Sequence, residues 1–77
     1  MPAATAASLR LAARLATPGE RVGAIAEIRR AVEETGSAVG AAARFGVPAR
    51  TLRRYIAHDS DLAAAVDAGR ATAEARR

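Results

Sequence analysis

Seventy-seven residues with 12 arginines, 8 acids, no lysine and no cysteine make one small domain of net charge +4. The lack of cysteine excludes a disulfide framework and a thiolate metal site, and no run approaches the ~18 apolar residues of a membrane span. Half of the residues are hydrophobic, yet alanine dominates them, so helix is favoured while each side chain buries little; a homodimer is expected to supply the missing burial.

Residues 1–16 contain Arg10 and Arg14, no acid, and Leu11 and Leu15 one turn apart with Leu9 near them. Three readings fit: a docking or dimerising helix, a basic arm touching minor groove or phosphates, and an organelle transit peptide. Thr17-Pro18-Gly19-Glu20 then marks a helix start, with Thr17 as cap, Pro18 at the first helical position and Glu20 completing a capping box. The helix of 18–35 places Val22, Ile25, Ile28 and Val32 on one stripe, as for a helix lying on a core, and Arg21, Glu27, Arg30 and Glu34 on a solvated side. Gly36 ends it in the left-handed position that glycine adopts freely.

Residues 37–57, SAVGAAARFGVPARTLRRYIA, have the grammar of a helix-turn-helix. Ser37 caps a short helix whose Ala38, Ala41, Ala42 and Phe45 share a narrow face; Gly46 breaks it, and Pro48 opens a second helix ending near Ala57. On that second helix Leu52, Tyr55 and Ile56 form the packing side, while Arg50, Arg53 and Arg54 lie roughly opposite. The excess charge sits here. Residues 37–58 hold four arginines and no acid, whereas residues 1–36 and 59–77 come close to neutrality. A localised positive patch is the footprint of a polyanion, and a guanidinium fork can bond a phosphate or the O6 and N7 of guanine.

Arg50 and Arg53 are therefore expected at base edges or in the groove, Arg54, Arg44 and Ser37 on phosphates, and Thr51 on either, with Ala49 at the same helix start. Arg44 can also complement its helix dipole, and Ser37 can serve as a cap alone. His58 closes the second helix and carries no chemistry. Asp59 or Ser60 caps a last helix over 60–75, where Gly69 in the stripe of Leu62, Val66 and Ala73 implies the close approach of another backbone, as in a second subunit. The tail 75–77 is expected to fray. The whole reads as an all-α bundle of four to five helices in one domain. It shows no catalytic constellation, no cofactor site and no metal site, so an enzyme is not expected.

GSAVGAAARFGVPARTLRRYIA resembles the C-terminal helix-turn-helix of Fis-type proteins and bacterial enhancer-binding activators, in which a glycine-led helix of alanines turns through Gly-Val into a Thr-Leu recognition helix. That resemblance implies dimerisation and DNA binding. The longer span 17–70, including HDSDLAAAVDAGR, is similar to helix-turn-helix domains of phage small terminase subunits and related homeodomain-like proteins. The expected function is double-stranded DNA binding in a transcriptional regulator or DNA-organising protein, cytoplasmic or nucleoid-associated. One alternative is a packaging protein that assembles into a ring. The alternative of another class is an adaptor or antitoxin-like module whose arginines meet an acidic protein.

Overall fold

The computed structural model describes residues 5–77, and residues 1–4 of the expected N-terminal segment lie outside them. Among the described residues the chain is all-helical, with α1 (Ala6–Ala16), α2 (Pro18–Thr35), α3 (Ala38–Phe45), α4 (Ala49–Ala57) and α5 (Ser60–Ala75). No helix among them is long and apolar enough to cross a membrane.

The caps explain where these helices begin and stop. Thr5 caps α1, its Oγ1 accepting from the Ser8 N–H at 3.0 Å; the buried Ser8 hydroxyl is satisfied by the same threonine at 2.9 Å. Ser37 accepts from the Gly40 N–H at 2.9 Å to start α3, and Asp59, one of the two residues expected to do so, accepts from Leu62 N–H to start α5. Gly36 and Gly46 stop α2 and α3 with φ of 84° and 68°, in the left-handed region open to glycine.

Two starts differ from expectation. Thr17 has the extended backbone of a cap, but its hydroxyl donates back to the Ala13 carbonyl at 2.7 Å and no capping box forms. Pro48 precedes α4 instead of occupying its first turn: its ψ of 138° is extended, and its carbonyl accepts from the Thr51 and Leu52 N–H groups.

The core runs through Leu11, Ile28, Val32, Val47, Leu52, Leu62 and Val66, with alanines between them. α2 is its axis, packing against α1, α3 and α5. The α2 face turned inward is Ala24, Ile28, Ala31 and Val32, with Ile25 half-buried; Val22, expected inside, is 78 % exposed. Alanines thus share the inward face with the branched Ile28 and Val32.

α5 comes close along its length. A Cβ built on Gly69 would stand 2.9 Å from the Arg29 carbonyl oxygen and 3.0 Å from the Val32 side chain. Another backbone does approach Gly69, and it is this chain's own α2 rather than a second subunit. Arg21 lies by Asp59 and Asp61, Arg29 by Gly69 and Gly36 by Arg77, so α2 and α5 run parallel.

Candidate nucleic-acid interface

α4 is built to pack on one side only. Leu52 is completely buried, Tyr55 and Ile56 are partly covered, and Val47 in the turn is 4 % exposed. Tyr55 fixes the helix further by donating its phenolic O–H to the Ser8 carbonyl on α1 at 3.2 Å. α1 thus docks on the corner of the α3–α4 unit, where Ala7 comes within 3.7 Å of the place a Gly46 Cβ would occupy. Leu11 of α1 is buried, whereas Leu9, grouped with it in the sequence, is 61 % exposed.

The opposite side of α4 carries Arg50, Arg53 and Arg54, all exposed. None lies within 4.0 Å of a carboxylate among the described residues. Ala49 and Thr51 on the same helix are half-buried, so the arginines stand out beyond them. Ser37 is also half-buried; its oxygen is used as the α3 cap, which leaves the hydroxyl proton free to donate to an anion.

Arg44 departs from the expected set. Its Nη1 donates to Glu34 Oε1 at 2.6 Å, joining α3 to the last turn of α2, with both side chains about half exposed. Glu34, placed on a solvated side by periodicity, had no sequence signal for this pairing, because the two residues lie ten positions apart on different helices.

The remaining carboxylates explain why α4 stays free. Glu20 and Glu27 are taken by Arg14, Asp59 and Asp61 by Arg21, Glu33 by Arg29 and Asp67 by Arg70. Arg21, expected on a solvated face, forms the most extensive of these, reaching Asp59 with both terminal nitrogens at 2.8 and 2.6 Å and the Leu15 carbonyl at 3.1 Å. Hydrogen bonds from Arg21 hold the Asp59 carboxyl below its ordinary range against partial desolvation, and the Leu62 N–H adds to that lowering. Arg14 lowers Glu27 in the same way, again chiefly by hydrogen bonding. Seven of the eight acids thus lie within 4.0 Å of an arginine outside α4, and among the described residues Glu74 is the exception.

Among the described residues no three His, Cys, Asp or Glu side chains lie close enough together to hold a metal ion. What α4 offers chemically is donors without acceptors: three exposed guanidinium groups on one short helix, with a serine hydroxyl capping the helix that precedes it. No protein-family model, curated protein or solved structure matches this chain.

Proposed function

We propose that the chain binds double-stranded DNA by laying α4 in the major groove. The observation that carries this reading is the division of α4 itself: its Leu52 side is buried while Arg50, Arg53 and Arg54 are exposed and unclaimed by any carboxylate among the described residues. A helix held by one face and bare on the other can enter a groove about 12 Å wide without rearrangement. In this reading Arg50 and Arg53 reach base edges, Arg54 and Ser37 meet phosphates, and Thr51 and Ala49 line the helix start between them. The likeness of 36–57 to Fis-type helix-turn-helix units points the same way, toward a transcriptional regulator or DNA-organising protein of the compartment that holds DNA.

Two copies acting together fit the composition of the core. Five of its twelve buried hydrophobic residues are alanine, a thin core for a free-standing domain, so a homodimer on paired half-sites is part of the proposal.

The test is titration of labelled duplex at several salt concentrations, starting near ~50 mM, where even sequence-independent binding of a basic helix is measurable. Arg50→Ala or Arg53→Ala is expected to cost about 1–3 kcal/mol on a selected site and to relax its sequence preference. Arg54→Ala is expected to weaken all duplexes alike and flatten the salt slope by about one unit. No binding at low salt would overturn the proposal; equal, sequence-blind losses at all three positions would overturn the division of roles.

A further inference from the structure

Among the described residues, Glu34 and Arg44 form the one ion pair that holds an arginine of residues 37–57. Arg44 sits near the end of α3, on the flank that also carries Gly40, and the Cβ position of Gly40 lies against Thr35. That flank therefore abuts the end of α2, where Glu34 precedes Thr35 by one residue. The pair is short at 2.6 Å, and its side chains are 52 % and 48 % exposed. Both groups reach solvent, so a polyanion could reach them as well.

We infer that Glu34 is a negative determinant of affinity at the α3–α4 surface, a carboxylate that holds Arg44 off the phosphate backbone and keeps one positive charge out of the interface. The inference rests on the DNA-binding reading above. A guanidinium makes charge-assisted bonds to carboxylate and phosphate with the same fork, so the two anions compete for one donor set. The carboxylate also repels a nearby phosphate, which raises the cost of exchanging one partner for the other. Ser37, Arg50, Arg53 and Arg54 face no such competitor among the described residues. Arg44 is thereby a latent contact: α3 has the group that would add a phosphate bond, and α2 withholds it.

The consequence is specific to this pair. Glu34→Gln keeps the size of the side chain at an exposed position and frees Arg44, so duplex affinity is expected to rise about three- to tenfold, with the salt slope steeper by about 0.9 for one added phosphate contact. Arg44→Ala in the unmodified background is expected to weaken binding modestly, because it leaves the Glu34 carboxylate unpaired to repel phosphate, without flattening the salt slope, since Arg44 makes no phosphate contact there. In the double variant Glu34→Gln/Arg44→Ala, the gain in affinity and the steeper slope are both expected to disappear. Helical content by circular dichroism checks that all three variants are folded. If Glu34→Gln binds duplex as the unmodified chain does, or if its gain persists undiminished without Arg44, the inference is overturned and the DNA-binding reading stands. If the unmodified chain fails to bind duplex at low salt, that reading falls and takes the inference with it.

Discussion

The hydroxyl of Tyr55 reaches across 47 residues of sequence to the carbonyl of Ser8, which makes α1 a clamp on the back of α4. Tyr55→Phe keeps the ring and removes only that bond, and the expected loss is about 1 kcal/mol, the net worth of a typical intramolecular hydrogen bond. Urea denaturation measures it. Duplex affinity should stay unchanged, because the phenol lies on the packed side of the helix.

Gly69→Ala sets two effects of opposite sign against each other. Alanine favours a helix over glycine by about 1 kcal/mol. Its methyl group would stand 2.9 Å from the Arg29 carbonyl and 3.0 Å from Val32, and a backbone oxygen inside a helix cannot swing aside. Overpacking costs about 1–3 kcal/mol, so the clash wins and the variant should be less stable. A shift of the denaturation midpoint upward would mean that α2 and α5 separate easily.

Acid should loosen the start of α5. The Asp59 carboxyl is held low by Arg21, so its folded form favours the charged state more than the unfolded chain does. The stabilisation is full above the unfolded carboxyl range, about pH 4, and is lost as pH falls through the lower folded value. Asp59→Asn should melt at a lower temperature at neutral pH, and its melting temperature should fall less steeply on acidification. Some acid sensitivity should persist in that variant, since Glu27 is lowered by Arg14 in the same sense.

Ser37 has a cap role in the structure and a phosphate role in the proposed function, and two substitutions separate them. Ser37→Ala removes the acceptor for the Gly40 N–H and is expected to cost about 1 kcal/mol of stability. Ser37→Asp keeps an acceptor and suits the positive end of the helix dipole, so stability should be retained, while its carboxylate would repel a DNA phosphate. Weaker duplex binding by a fully stable Ser37→Asp is the expected result. Unchanged binding would place Ser37 outside the interface.

The corner of 37–57 was legible in the sequence because its signals are local. Ser37, Gly46 and the stripe of small residues each act within one turn of helix, and each sits where its chemistry requires. The α2 stripe is less legible. Periodicity weights bulky residues and so points Val22 inward, whereas the buried positions are Ala24 and Ala31 beside Ile28 and Val32. Ion pairs were invisible for another reason. Arg21 and Asp59 are 38 positions apart, and only the parallel course of α2 and α5 brings them together. For Arg44 the sequence suggests a phosphate contact or the helix dipole, and neither includes a carboxylate from the preceding helix. The bareness of Arg50, Arg53 and Arg54 could be hoped for from their spacing, but it depends on where seven acids elsewhere have gone.

The central course of α2 bears on how the domain comes apart. With α1, α3 and α5 all leaning on one rod, no seam exists along which two halves could part while each kept its interior dry. Loosening that rod would dissolve the mount of α4 and its arginines together with everything else, so the chain should hold its shape as a single body or lose it as one.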